Sequence, residues 1–314
     1  MVISDAYTKM KVEYLEAEDV LISVSGGSDS DIVVDMSARI ADAVPGLRDK
    51  MKYIFINTGI EFEANRNQIK YLSDKYGIEI SEIRPEKPVP VAIKESGYPV
   101  FNKMASEYIY RLQKHHFRFE DKPYEQLIEE YKNCQSALDW WCNRKLSKKN
   151  CISNNKWLKE FLIENPPDFP ISPKCCEYSK KKPAMQYAKD NLSKKALYMV
   201  TAERRAEGGA RSNGNSCISG SKASNITKYR PIFWFSNNDK SIYEDHYNIV
   251  HSNCYRCYGQ KRSGCVGCSC NPNYKKELEV ADIYEPKLAN AARNIFSKAY
   301  DYTDAYKMYA QKRG

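Results

Sequence analysis

Residues 19–36 combine a short apolar run, two glycines and a helical pattern, in an order that few chain geometries accept. Asp19-Val20-Leu21-Ile22-Ser23-Val24 is apolar and β-branched, which suits a buried strand. Asp29-Ser30-Asp31-Ile32-Val33-Val34-Asp35-Met36 places its apolar residues at helical spacing. The six residues between and overlapping them, Ser25-Gly26-Gly27-Ser28-Asp29-Ser30, are therefore a strand-to-helix turn. Its glycines let the backbone approach a ligand with no Cβ in the way. The N–H groups at the helix start favour an anion, so a phosphate-type ligand is the natural occupant. The competing reading is an ordinary glycine turn capped by Ser28 or Asp29.

No Lys-Ser/Thr pair follows at the spacing of a Walker loop. The stretch resembles instead the Ser-Gly-Gly-x-Asp-Ser PP-loop of enzymes that bind ATP or another adenylyl nucleotide and work at its α-phosphate.

The rest of the N-terminal third keeps the alternation. Residues up to about Glu18 read as an amphipathic helix offering Tyr7, Met10, Val12, Tyr14 and Leu15 for packing. Lys52–Asn57 is a second strand closed by Asn57-Thr58-Gly59, Glu61–Tyr76 a helix, and Ile78–Ile83 a third strand. Strands alternating with helices predict an α/β fold with a doubly wound, mostly parallel sheet. Ligands of such sheets sit beyond the carboxyl ends of the strands, where both the glycine loop and Asn57-Thr58-Gly59 fall.

From about Pro85 to Pro173 that rhythm stops. Helical stretches at Ala105–Lys114, Pro123–Lys132 and Asn154–Glu164 surround the pair Trp140-Trp141, predicting a largely helical insertion over the active face. His115-His116 lies within it without metal-site spacing and reads as structural. The sheet resumes with Ala196–Val200, and a further strand is expected to include Tyr229-Arg230-Pro231-Ile232. A helical C-terminal tail follows, with Leu278, Ile283, Leu288, Ala292, Ile295 and Phe296 as its apolar members. The expected division is 1–84, the first part of a nucleotide-binding domain; 85–173, insertion or lid; 174–272, the rest of that domain; and 273–314, the tail.

No run of about twenty apolar residues occurs, and the N-terminus lacks a basic region followed by an apolar one, so no membrane partner and a cytoplasmic home are expected. In that compartment eleven cysteines suit metal or redox chemistry better than disulfides. A net charge of +9 favours anionic partners, nucleotides and nucleic acid among them, with patches at Arg144–Lys149 and Lys180-Lys181-Lys182.

The cysteines are unevenly placed. Cys175 and Cys176 are adjacent, and five more crowd between Cys254 and Cys270. Adjacent cysteines fit an ordinary zinc knuckle poorly, whereas two pairs, Cys175-Cys176 and Cys265-Val266-Gly267-Cys268, suit a [4Fe–4S] cluster. Zinc at the same four residues remains open.

Five segments then resemble the phosphoadenosine-phosphosulfate (PAPS) and adenylyl-sulfate reductase-like PP-loop family, cluster-bearing branch. The loop is one. Cys175–Pro183 is similar to its Cys-Cys-x-x-x-Lys-x-x-Pro segment, and Arg262-Ser263-Gly264-Cys265-Val266-Gly267-Cys268 to its Arg-x-Gly-Cys-x-x-Cys segment. Asn57–Phe62 is similar to its Asp-Thr-Gly-x-x-Phe/Tyr stretch, and Thr201–Arg211 to its Gly-x-Arg-x-x-Glu-Ser-x-x-Arg stretch, with Gly208 replacing the usual Ser and Ala202 the usual Gly. The resemblance implies a nucleotide site of Ser25, Gly26, Gly27, Ser28, Asp29, Ser30, Asn57, Thr58, Gly59, Lys180, Arg204 and Arg211. It also implies cluster ligands Cys175, Cys176, Cys265 and Cys268, and ATP, adenylyl sulfate or PAPS as nucleotide, with Mg²⁺ near Asp29 as an added expectation.

The reductases of that family attack sulfate sulfur with a cysteine in a Glu-Cys-Gly-x-His segment near the chain end, and in this sequence no cysteine follows Cys270. Cys217, Cys254, Cys257 and Cys270 are the spare thiols outside the insertion, and Cys254 and Cys257 are the candidates for a sulfur-carrying or catalytic thiol. Three functions follow. One is ATP-dependent, pyrophosphate-releasing sulfur transfer, as in relatives acting in DNA phosphorothioation, with a sulfur-donor protein as partner. The second is a sulfonucleotide reductase with a relocated cysteine and an electron donor. The third is a non-enzymatic nucleotide-binding sensor or scaffold.

Overall fold

The computed structural model describes residues 2–192, 195–208, 211–212, 214–220, 225–262 and 264–314. Gly209, Ala210 and Ser263, quoted within the motifs above, lie outside the described residues. The chain forms two compact units: Met1–Glu86 with Lys180–Cys265, and Lys87–Ser179 with Val266–Gly314.

The first unit carries six strands: β1 (Asp19–Val24), β2 (Met51–Ile56), β3 (Ile80–Ile83), β4 (Leu197–Val200), β5 (Ile218–Ser219) and β6 (Ile226–Tyr229). Their order is β3-β2-β1-β4-β6-β5, and all pairs are parallel except β5 on β6. β1 lies between β2 and β4, with Val20 opposite both Met51 and Tyr198. The alternation of a strand explains why both faces are covered. Val20, Ile22 and Val24 join the core that holds Met10 and Tyr14 of α1 (Val2–Glu16) and Ile32, Val33 and Met36 of α2 (Ser28–Ala43). Leu21 faces the other way with Ile54, packing on Ala184 and Ala188 of the helix Lys182–Asn191. α3 (Glu63–Tyr76) ends at Gly77, whose left-handed backbone (φ 58°) closes it.

Three sequence expectations shift locally. In α1 only Met10 and Tyr14 are buried and Tyr7 is partly so, whereas Val12 and Leu15 are each 48% exposed, because the helix presents one narrow stripe to the sheet. β3 begins at Ile80, since Gly77 and Ile78 still belong to the helix-closing turn, where the Ile78 N–H bonds the Ser73 carbonyl. The last parallel strand ends at Tyr229 instead of running through Ile232. Pro231 has no N–H to give a neighbour, and the chain turns with the Phe233 N–H on the Arg230 carbonyl.

The second unit is helical: Val89–Ser96, Lys103–Lys114, Tyr124–Glu130, Gln135–Trp141 and Leu158–Glu164, then Tyr274–Tyr284 and Pro286–Arg313. Trp140 and Trp141 are fully buried with Leu138, Ile109 and Phe161, and Ala299 of the last helix lies in the same core. Phe161 meets the rings of Tyr302, Tyr306 and Tyr309 at 5.2–5.5 Å, so the tail completes the hydrophobic centre of the insertion. Asn102 caps Lys103–Lys114 by accepting the Ala105 N–H at 2.9 Å. Of the expected tail residues Leu278, Ala292 and Phe296 are buried, while Ile283, in the last turn before the break at Glu285, is 74% exposed. Among the described residues no helix is long and apolar enough to cross a membrane.

Candidate nucleotide and cysteine sites

The loop leaves β1 at Val24 and enters α2 at Ser28. Gly26 stands at φ +66°, and a Cβ there would lie 2.6 Å from the Asn65 carbonyl oxygen, so both backbone shape and space require glycine. Gly27 is the N-cap of α2 and no side chain caps the helix, so neither Ser28 nor Asp29 does so. Ser30 Oγ accepts the Ser25 N–H at 3.0 Å, and Ser25 Oγ accepts the Gly27 N–H at 3.3 Å, fixing the loop from within. The first-turn N–H groups of a helix have no intrahelical acceptor, which leaves this end electropositive.

Charge gathers around that turn. Asp29 Oδ1 accepts from Arg204 Nε at 2.9 Å and lies 2.8 Å from Lys240 Nζ. Arg204 is 6% exposed and also donates to Asn237 Oδ1 at 3.1 Å and the Phe235 carbonyl at 3.4 Å. Lys240 donates to the Ser28 hydroxyl and sits 3.6 Å from Glu244 Oε1. Glu244 in turn meets His251 Nε2 at 2.7 Å, and His251 Nδ1 meets Asp31 Oδ2 at 2.7 Å. Burial alone would lower the His251 pKa, but the bonds and charges of Asp31 and Glu244 outweigh it and raise it to about 9. Burial pushes the Asp31 carboxyl up to about 6 against the bond and charge of His251. The raised pKa makes the partly buried imidazole a cation at neutral pH, bonded to Asp31 in the first turns of α2.

Lys240, Glu244 and His251 were not marked by the sequence reading. Ser236-x-x-Asp239 is a capping box for the helix Asn237–Tyr247, and Lys240 and Glu244 are i,i+4 on it, but nothing in the sequence joins that face to residue 29.

The second expected segment is organised by Glu61. Its carboxylate accepts the Thr58 N–H at 2.9 Å and the Thr58 hydroxyl at 2.7 Å. Burial raises its pKa, while Lys180, 3.8 Å away, and Thr58 act to lower it. Asn57 Nδ2 donates to Glu82 at 2.9 Å and Asn57 Oδ1 accepts the Gly59 N–H at 3.0 Å. Arg211 is ion-paired with Glu207, which also accepts the Arg204 N–H at 3.0 Å and lies 3.7 Å from Arg262. Glu207 therefore ties the two arginines of that motif to each other.

A cavity of about 400 Å³ in this unit, lined by Arg48, Met51, Tyr53, Ile78, Tyr187 and Asn191, lies at the strands' amino ends, away from the loop. We assign it no part in nucleotide binding, since ligands of such sheets bind beyond the carboxyl ends.

None of the eleven cysteines, all among the described residues, is in a disulfide. Cys265 belongs to the first unit, where its sulfur is 3.7 Å from Thr58 Oγ1. Cys175, Cys176, Cys268 and Cys270 belong to the second. There Cys175 is buried, and a π-helical turn, Glu177–Lys181, follows the adjacent pair. The hydrogen bond from Cys270 lowers the Cys268 pKa against burial, with the Lys103 ammonium acting in the same sense, and Cys270 is raised in turn. The negative charge of the Cys176 thiolate is the main cause of a raised Lys103 pKa, against burial. Cys270 is thus a further thiol beside Cys268, with Cys176 near enough to raise its pKa. Cys254 is fully buried, its N–H on Ser252 Oγ, and Cys257 is exposed, its thiol 3.5 Å from Asn253 Oδ1.

Thiols in two pairs, one of them beside an ammonium, are the right donors for a thiolate-bound iron–sulfur centre. Among the described residues no three His, Cys, Asp or Glu side chains are gathered into a ligating group. The donor set fits by its chemistry, and no step below is routed through a metal.

A mostly parallel sheet with a glycine turn feeding a helix, and cations converging on that helix start, is the arrangement of a PP-loop α/β fold. The phosphoadenosine phosphosulfate reductase domain matches residues 19–270, and the chain belongs to that family. No curated protein matches the sequence. Similar solved structures include phosphoadenylyl-sulfate (PAPS) reductase from Candida auris in a phosphate complex, 12% identical, covering 83% of this chain and 87% of that one, TM-score 0.43. They also include the NH3-dependent NAD synthetase from Campylobacter jejuni, 12% identical, covering 96% and 94%, TM-score 0.39. A third is the U34-tRNA thiolase NcsA from Methanococcus maripaludis with its [4Fe-4S] cluster, 14% identical, covering 99% and 80%, TM-score 0.34.

Proposed function

We propose that this protein is an ATP pyrophosphatase that activates an acceptor for sulfur transfer. The observation that carries the reading is the pair of cations, Arg204 and Lys240, held on Asp29 at the first turn of α2. They add fixed positive charge to the helix end where a nucleotide's phosphates would lie. An acceptor oxygen attacks the α-phosphorus, the bond to the β-phosphate oxygen breaks, and pyrophosphate leaves with the charge that the helix start, Arg204 and Lys240 offset. A sulfur nucleophile then displaces AMP from the activated acceptor. Glu207 holds Arg204 and Arg211 in place, and Glu61 holds the Asn57-Thr58-Gly59 turn.

Cys175, Cys176, Cys265 and Cys268 would hold a [4Fe–4S] cluster, which when bound supplies electron-transfer or sulfide-binding capacity. The net charge of +9 suits a polyanionic acceptor such as nucleic acid.

The exposed Cys257 favours a second reading, sulfonucleotide reduction with that thiol attacking the sulfate sulfur. The two separate in one anaerobic assay of the reconstituted protein, with pyrophosphate release from ATP measured beside sulfite release from adenylyl sulfate and PAPS. Pyrophosphate without sulfite is the expected result; sulfite without pyrophosphate overturns it in favour of reduction.

A further inference from the structure

Residues 271–314 lie beyond the family match, yet two of them grip the Cys-x-x-Cys turn. Gly267, between Val266 and Cys268, donates its N–H to Glu277 Oε2 at 3.0 Å and accepts at its carbonyl the hydroxyl of Tyr300. Both polar groups of one peptide residue are thus taken by side chains of the two C-terminal helices. Gly267 stands at φ +66°, and a Cβ there would meet Tyr300 Oη at 2.5 Å, Leu278 Cδ2 at 2.9 Å and Ala292 Cβ at 3.1 Å. Only glycine fits against this surface.

The grips are themselves held. Glu277 is 5% exposed and accepts a second bond from Asn271 Nδ2 at 3.2 Å, while the Asn271 N–H bonds the Cys268 carbonyl at 2.7 Å. The Tyr300 ring stacks on Tyr274 with centroids 4.5 Å apart and planes 2° from parallel, and Tyr274 donates to Asp304 at 2.9 Å. Holding a carboxylate buried against the Gly267 N–H and the Asn271 amide costs desolvation, and the turn it fixes carries Cys268.

We propose that Glu277 and Tyr300 are positioning residues for Cys268: the C-terminal helices form a clamp that sets the conformation of the Cys-x-x-Cys turn and so the direction of the Cys268 sulfur. This rests on the reading of Cys268 as a metal ligand. The clamp replaces loop flexibility with a fixed sulfur, as preorganised ligand sets require.

The test uses the full chain with Tyr300→Phe, which keeps the ring on Tyr274, and Glu277→Ala beside Glu277→Gln, whose amide oxygen still accepts the Gly267 N–H. In metal-free protein, iodoacetamide labelling of Cys268 is followed by mass spectrometry, with Cys134 as internal reference and the melting temperature as a check on folding. Tyr300→Phe and Glu277→Ala are expected to speed Cys268 labelling about tenfold with Cys134 unchanged, and Glu277→Gln to stay near wild type. After anaerobic loading with iron and sulfide, the first two should lose iron to a chelator several-fold faster. Cys268 labelling within twofold of wild type in both variants, at unchanged melting temperature, overturns the clamp. Wild-type protein that takes up no iron overturns the metal reading alone, because the labelling still decides the clamp.

Discussion

Arg204 and Asp29, 175 residues apart in sequence, meet with Arg204 Nε 2.9 Å from Asp29 Oδ1, joining the β4 end of the sheet to the first turn after the glycine loop. The pair is nearly dry, the side chains being 7% and 15% exposed. A charge-assisted bond in such a place couples the two residues by about 0.5–3 kcal/mol. Arg204→Met should weaken binding of a non-hydrolysable ATP analogue at least tenfold, about 1.4 kcal/mol. Asp29→Asn in the same protein should add less than its own separate effect. Calorimetric titration of the four proteins checks this: strict additivity would mean that the two residues act on the nucleotide independently, and unchanged affinity in Arg204→Met would place the arginine outside the nucleotide site.

The glycine loop makes a sharper test. A side chain at position 26 must relieve both a positive φ and a 2.6 Å approach to a backbone oxygen of Asn65, which cannot swing aside as a side chain would. Gly26→Ala should lose about 1–3 kcal/mol of stability and most nucleotide affinity. Gly46→Ala shares a positive φ but has nothing within 4 Å, so it should lose stability without losing the nucleotide. Thermal melting and analogue binding on the two variants separate strain from occupancy.

Much of the first unit could be read from the chain because its signals are local. Val20 to Val24 alternate between two covered faces, and Gly26 needs its conformation for reasons confined to a few residues. The family motifs marked Arg204 and Thr58 in the same way. Lys240, Glu244 and His251 were invisible because each is an ordinary polar residue until folding brings Asn237–Tyr247 against α2. Glu277 escaped for the same reason: a glutamate on an amphipathic helix reads as solvated surface, and only packing shows it 5% exposed with two N–H donors.

His251 gives the protein a pH signature. Its folded pKa is raised from 6.5 to about 9, so the stabilisation it provides is fully present below about 6.5 and is lost as pH climbs through about 9. The raised Asp31 carboxyl, at about 6, is already ionised across pH 7–9.5 and adds no slope there. Denaturant midpoints of the wild type should therefore fall between pH 7 and 9.5, and those of His251→Gln should fall less. Parallel profiles for the two proteins would mean that the imidazole is not held as a cation by Asp31 and Glu244.

The ligand assignment yields the last expectation. Cys176 and Cys268 share the neighbourhood of Lys103, whose positive charge favours thiolates, and Cys257 stands exposed in the other unit. If the two pairs hold the metal, Cys176→Ser and Cys268→Ser should reduce iron bound after anaerobic reconstitution to a small fraction of wild type, with loss of the visible thiolate-to-iron absorption. Cys257→Ser should keep both. Cys270→Ala is the discriminating case. The Cys270 thiol donates to Cys268, so removing it should loosen that sulfur without removing a ligand, and iron should bind but leave to a chelator faster. Iron lost altogether in Cys270→Ala and retained in Cys265→Ser would move the ligand set to the second unit, as Cys175, Cys176, Cys268 and Cys270.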